Sequence, residues 1–196
     1  MNPSILIALA QMAVQPGRPA DNAVRMAAWI RDARRAGARL IVFPEMAVPG
    51  YLLGDAWEQP AFLRDCEAAG ARIAAASAGV TVVFGNVAVD WARRNEDGRV
   101  RTYNALFVVE DGRWLGPDNG TGYSFVPKAL PPNYREFDDS RHFYDLRKLA
   151  QESGRSPADL TVPIATRVGR IGGLVCEDAW DADYGFSPAR VLAARG

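Results

Sequence analysis

Cysteine and histidine are the scarce residues of this 196-residue chain, which holds two cysteines, Cys66 and Cys176, and one histidine, His142. With no CxxC pair, neither a metal site nor a disulfide framework is expected, no cofactor is indicated, and a reducing, cytoplasmic setting is the default. Excess charge of one sign is missing too, since 23 Lys and Arg balance 23 Asp and Glu. That leaves no broad basic field to gather nucleic acid or an anionic membrane surface. The one apolar run near the start, Ile5 to Ala10, lacks a basic leader and falls short of the roughly 20 residues that a bilayer requires. Gly169, Gly172 and Gly173 stand in no strand-GxGxxG-helix unit, and no Gly-rich loop for ATP phosphates occurs. A small or neutral ligand is the partner these absences leave.

What is present is apolar material in alternating order. Hydrophobic residues make up 48% of the chain, enough for one sizeable core, so a single domain is expected. The run Ile5 to Ala10 reads as a strand covered on both faces. A helix follows in which Val24, Ala27, Ala28, Ile30 and Ala33 recur at helical spacing, with Asp21 or Asn22 as its cap and Gly37 as its end. Leu40 to Phe43 reads as a second buried strand, Ala61 to Ala76 as a helix and Val80 to Gly85 as a third strand. This alternation predicts layered α/β packing. Thr102 to Val109 and Arg113 to Leu115 flank the turn Glu110-Asp111-Gly112, which predicts an antiparallel hairpin and hence a mixed sheet. From Pro117 to Arg141 the composition predicts a long ordered loop of the kind that carries binding groups. Tyr144 to Gly154 reads as a short helix and Ser156 to Leu160 as a turn. Ile171 to Val175 reads as a last strand that delivers Cys176 at its end.

Three residues could do chemistry. Cys176 ends an apolar run that turns abruptly polar, Gly172-Gly173-Leu174-Val175-Cys176-Glu177-Asp178-Ala179-Trp180. A thiol at a strand end lies beside backbone N–H groups that stabilise a thiolate or an oxyanion, although the residue type alone equally suits a small buried hydrophobe. Glu45 follows Leu40 to Pro44 at a strand exit, where it would serve as a base or as a solvated carboxylate. Lys128 sits between Pro127 and Pro131 in a stiffened loop, and an isolated lysine there is as readily just solvated. A papain-like pairing of cysteine with His142 has no supporting asparagine pattern. Cys66 shares helical spacing with Phe62 and Ala69 and reads as a core thiol, and the five tryptophans, Trp29, Trp57, Trp91, Trp114 and Trp180, read as packing residues.

Taken together, these segments resemble the nitrilase superfamily, whose Glu, Lys and Cys triad occurs in this chain order. Phe43-Pro44-Glu45-Met46-Ala47-Val48-Pro49-Gly50-Tyr51, Pro127-Lys128-Ala129-Leu130-Pro131-Pro132-Asn133-Tyr134-Arg135-Glu136-Phe137-Asp138 and Cys176-Glu177-Asp178-Ala179-Trp180 are similar in more detail to the glutaminase domain of glutamine-dependent NAD synthetases. The resemblance runs from Ile5 to the end. It implies an α/β fold of the four-layer α-β-β-α sandwich type, often completed by pairing of identical chains. It also implies Cys176 as nucleophile, Glu45 as general base and Lys128 as the group that steadies the tetrahedral intermediate, with the Glu177 N–H in the oxyanion hole. Tyr51 and Tyr134 match pocket positions, and Glu136 is the candidate for a second glutamate after the lysine. No metal and no cofactor are implied.

Such domains carry further strands after the nucleophile, so residues 1–196 are expected to form one carbon-nitrogen hydrolase domain that is incomplete at its C-terminal side. The expected activity is hydrolysis of glutamine, with ammonia passed to a synthetase domain or chain. The same triad would serve a free-standing amidase or carbamoylase on another small substrate, and a non-catalytic remnant would keep the same residues.

Overall fold

The computed structural model describes residues 4–196. Three parallel strands, β1 (Ile7–Leu9), β2 (Leu40–Val42) and β3 (Thr81–Arg94), are joined through α1 (Pro19–Arg35) and α2 (Pro60–Ala76). β4 (Val100–Glu110) returns antiparallel to β3, β5 (Arg113–Leu115) pairs with the end of β4, and β6 (Val126–Pro127) pairs with its middle. The six-stranded sheet is therefore mixed. After β6 come three short helices, α3 (Asp139–His142), α4 (Leu146–Glu152) and α5 (Pro157–Leu160), then the pair β7 (Ile164–Thr166) and β8 (Gly169–Ile171), and α6 (Pro188–Ala194).

The core explains the layering. Met26 and Ile30 of α1 and Ile73 and Ala74 of α2 pack on Ile41, Val82, Phe84, Phe107 and Val109 of the sheet. Phe84 and Phe107 stack at a centroid distance of 5.5 Å. Burial of each such side chain contributes about 1.5–3 kcal/mol, so this face dominates the stability. The opposite sheet face presents Leu40, Val83 and Val108, which pack against Ile164 of β7 and Ile171 of β8. Beyond β8, α6 lies against Gly172, where a Cβ would come within 3.2 Å of Leu192. The order of layers is helix, sheet, sheet, helix, the α/β arrangement expected.

Several expectations need correction. β1 is not covered on both faces, since Ile7 is 46% and Leu9 71% exposed: the cluster that β7 and β8 form on this face takes in Leu40 of β2 but no residue of the edge strand β1. Neither Asp21 nor Asn22 caps α1. The helix begins with Pro19, and Asn22 is buried in its first turns, where it ties Gln15 to Val48. β3 runs on past Gly85 to Arg94, carrying Val87, Val89 and Trp91 at strand spacing, because pairing with β4 continues the ladder beyond the expected end. The loop from Pro117 to Arg141 contains β6, and the last strand stops at Ile171, so residues 172–175 are unpaired among the described residues. Trp180 is no packing residue, being 74% exposed, whereas Trp57 is buried against Phe143.

Candidate active site

β2 carries the chain to Phe43, whose N–H still bonds Val83, and Pro44 then ends the ladder because it has no N–H. The chain turns across β3 instead of continuing along it. Gly85 N–H donates to the Pro44 carbonyl, and Val48 N–H donates to that of Gly85. This crossing requires glycine, since a Cβ on Gly85 would lie 2.3 Å from Met46 N and 2.7 Å from Glu45 Cα. Met46 takes a positive φ of 48°, and the Glu45 side chain reaches Asn104 in the middle of β4.

Lys128 is held by its backbone on both sides. Its N–H donates 2.9 Å to the Asn104 carbonyl of β4, and its own carbonyl accepts from Leu146 N–H at 3.0 Å. The side chain is 3% exposed, and Nζ donates to Glu45 Oε1 at 2.8 Å, Asp139 Oδ2 at 3.1 Å and Tyr51 OH at 3.3 Å. Glu45 Oε1 accepts a second bond from Asn104 Nδ2 at 2.7 Å. Tyr51 OH donates to Asp139 Oδ1 at 2.5 Å. One buried cation thus serves two carboxylates. Burial works to lower the ammonium pKa of Lys128, yet Glu45 and Asp139 overcome it and hold the group above its usual value, fully charged. The Asp139 carboxyl is raised by burial, against the pull of Lys128 and Tyr51.

Cys176 stands at the start of a single 3-10 turn, Cys176–Ala179, with a positive φ of 47° and an exposed thiol. A left-handed cysteine is strained by about 1–3 kcal/mol and persists only where its surroundings impose it. The thiol pKa is raised, by burial of the sulfur first and by the Glu45 carboxylate second, with Lys128 opposing. At neutral pH it is therefore a thiol that needs a base. Asp178, two residues on, is 2% exposed and accepts from Ala129 N–H at 3.0 Å, Leu130 N–H at 2.8 Å and Val175 N–H at 3.1 Å. Glu177 is buried, its carboxylate gripped by Tyr134 and Tyr184 hydroxyls at 2.9 Å each. Its backbone N–H has no protein acceptor among the described residues.

The structure thus gathers Glu45, Lys128 and Tyr51 in one hydrogen-bonded cluster, sets Cys176 within electrostatic reach of it, and joins Tyr134 to Glu177. Glu136 is exposed and lines a cavity of about 240 Å³ with Tyr51, Leu52 and Trp57. The second acid on Lys128 is Asp139 instead. Asp139 and Asn104 escaped the sequence reading, although a lone asparagine in the apolar run from Thr102 to Val109 was a visible signal. His142 makes no bond to Cys176; its carbonyl accepts from Thr102 Oγ1 at 2.5 Å, and burial lowers its pKa. Cys66 is buried, which pushes its thiol up to about 12, so it is inert as a nucleophile. Among the described residues no cluster of His, Cys, Asp and Glu could hold a metal ion, and no helix is long and apolar enough to cross a membrane.

The carbon-nitrogen hydrolase family model matches residues 6–183. The glutamine-dependent NAD(+) synthetase of Rhodobacter capsulatus is 36% identical over 195 residues, which cover 97% of this chain and 29% of that protein. That of Xanthomonas campestris pv. campestris is 32% identical over 181 residues, covering 92% of this chain and 28% of its own. The chain therefore spans less than a third of these relatives. Among solved structures, the glutamine-dependent NAD+ synthetase from Acinetobacter baumannii superposes on 71% of this chain and 23% of its own with a TM-score of 0.57 at 30% identity. The carbon-nitrogen hydrolase from Helicobacter pylori G27 covers 98% of this chain and 56% of its own with a TM-score of 0.64 at 22% identity, a likeness of fold. By the family match over most of its length and by its relatives, the chain belongs to the carbon-nitrogen hydrolases.

Proposed function

We propose that this domain hydrolyses the side-chain amide of glutamine and releases ammonia, with Cys176, Glu45 and Lys128 as its catalytic residues. One observation carries the reading: the pair of half-buried Glu45 and buried Lys128 at 2.8 Å lies beside a strained, solvent-facing thiol whose pKa Glu45 raises. Glu45 Oε1 is fully used by Lys128 and Asn104, whereas Oε2 accepts no bond among the described residues and is the oxygen left for the thiol proton. As that proton moves to Glu45, the sulfur attacks the amide carbon and the carbonyl oxygen becomes an oxyanion. The Glu177 N–H and Lys128 receive it. A lysine has three donors, and here all three are engaged. The 3.3 Å bond to Tyr51 is the longest and the one yielded to the oxyanion. Collapse returns the proton from Glu45 to the leaving nitrogen, which departs as ammonia and leaves a thioester. Water, deprotonated by Glu45, opens the thioester to give glutamate and regenerate the thiol.

Tyr51, Tyr134, Glu177 and, at the edge of its cavity, Glu136 line the approach for the substrate. The naming of the relatives as glutamine-dependent NAD(+) synthetases supports glutamine as the amide and a synthetase domain as the consumer of ammonia. A cytoplasmic setting and association between identical chains fit the same reading.

The test is intact-mass spectrometry after brief exposure to a diazo-ketone analogue of glutamine, with Cys176→Ala as control. A single adduct on Cys176 that glutamine suppresses is expected. Labelling that glutamine leaves unchanged but another small amide suppresses would move the substrate to that amide, and absence of labelling would overturn the catalytic reading.

A further inference from the structure

We propose that Asp178 is the positioning residue of this site: its carboxylate clamps the loop carrying Lys128 to the turn carrying Cys176 and so sets the nucleophile against the cation. Where activity is the readout, the inference rests on the function proposed above; its structural half does not.

Three backbone N–H groups from two separate segments converge on this one side chain, Ala129 and Leu130 on Oδ1 and Val175 on Oδ2. Only a carboxylate accepts on both oxygens; an asparagine would turn a donor toward one of them. The choice is costly, since burial pushes the carboxyl up to about 6 against the three N–H bonds. A group that only filled space here would be apolar or neutral. The segment it grips needs gripping. Residues 172–175 have no strand partner among the described residues, and the remaining hydrogen-bonded tie between this turn and the lysine loop is that from half-exposed Tyr134 to Glu177. The Asp178 N–H also returns to the Val175 carbonyl at 3.1 Å, so the turn is closed through both backbone and side chain of one residue. Cys176 lies inside that closed turn at its positive φ. The clamp is what imposes the strained conformation, and with it the placement of the sulfur near Glu45.

Asp178→Asn separates this role from plain stability. The amide oxygen is expected to keep the two N–H groups of Ala129 and Leu130, and its NH2 then faces the Val175 N–H and releases the turn. The sulfur leaves Glu45 and relaxes toward solvent. The groups facing it, Glu45, Lys128 and Glu177, are unaltered in this variant. The pH profile of Cys176 alkylation by iodoacetamide above pH 7, read by mass spectrometry, is expected to shift to lower pH than in the unaltered protein. Glutamine turnover is expected to fall about 100-fold in kcat, the scale of a misplacement near 1 Å, with KM within a few-fold. An unchanged alkylation profile beside a lowered Tm would overturn the proposal and leave Asp178 a stabilising residue only. If the unaltered protein shows no glutamine turnover, the glutaminase reading fails while the alkylation profile still decides this one. Buried Cys66 reports folding, because its labelling would reveal a variant that has opened. In that event amide exchange of the unaltered chain decides: equal protection of Ala129, Leu130 and Val175 supports a shared clamp, and rapid exchange of Val175 alone overturns it.

Discussion

Replacing Lys128 by methionine keeps the length and apolar stem of the side chain and removes the one charge that buried Asp139 and half-buried Glu45 share. At 2.8 Å from Glu45 and 3.1 Å from Asp139, each attraction is about 5–6 kcal/mol at an effective dielectric of about 20. Desolvation of each ion opposes it by several kcal/mol, so the measured cost of breaking such a buried group is about 3–5 kcal/mol. For a chain of this size that corresponds to a Tm lower by roughly 6–20 °C. The sign of the pH dependence follows from Asp139, whose pKa burial already raises and which loses the opposing pull of Lys128 in the variant. The folded variant then holds a proton that the unfolded chain releases near pH 4, so its stability falls as pH rises from about 4 through the folded pKa. Thermal melts followed by far-UV circular dichroism at pH 5 and pH 8 are expected to show the larger deficit at pH 8. Lys128→Met combined with Asp139→Asn is expected to recover roughly half of it. A deficit that is equal at both pH values, or a double variant no more stable than the single one, would falsify the shared-charge account.

Three further outcomes test the site. Glu45→Gln is expected to abolish amide hydrolysis, yet to move the alkylation midpoint of Cys176 downward, because the carboxylate that raises the thiol pKa is gone; a midpoint that rises would place Glu45 out of reach of the sulfur. Gly85→Ala is expected to lower kcat at least 100-fold, since the new methyl would drive the Glu45–Met46 backbone from its crossing; near-native kinetics would show that the crossing is not needed. Asn104→Leu removes the 2.7 Å bond to Glu45, and a Tm loss of a few degrees with a larger loss of kcat is expected in paired melts and steady-state assays.

Much of this could be read from the residues in order. The alternation of apolar runs with helical spacing marked β2, α2 and the start of β3 closely, because those segments bury the faces their own periodicity defines. The strands that were misread are those whose state depends on neighbours. β1 is apolar but lies at an edge, β3 continues past Gly85 because β4 pairs with it as far as Arg94, and the two residues of β6 are strand only by virtue of β4. Cys176 was visible because an apolar run turns abruptly polar there, whereas Glu45, just after Pro44, and Lys128, between Pro127 and Pro131, stood out once their segments were taken together with it as resembling one family.

The sequence by itself determined the α/β class, which is written locally in the spacing of its apolar residues, and it singled out Glu45, Lys128 and Cys176 through three short segments that together resemble the nitrilase triad. Only the tertiary structure decided that Asp139 and not Glu136 meets Lys128, that Asn104 holds Glu45, and that Asp178 joins the lysine loop to the cysteine turn. Those pairings span 11, 59 and about 50 residues of chain, so they exist only once the sheet has closed and burial has made an unpaired charge or N–H too costly to leave.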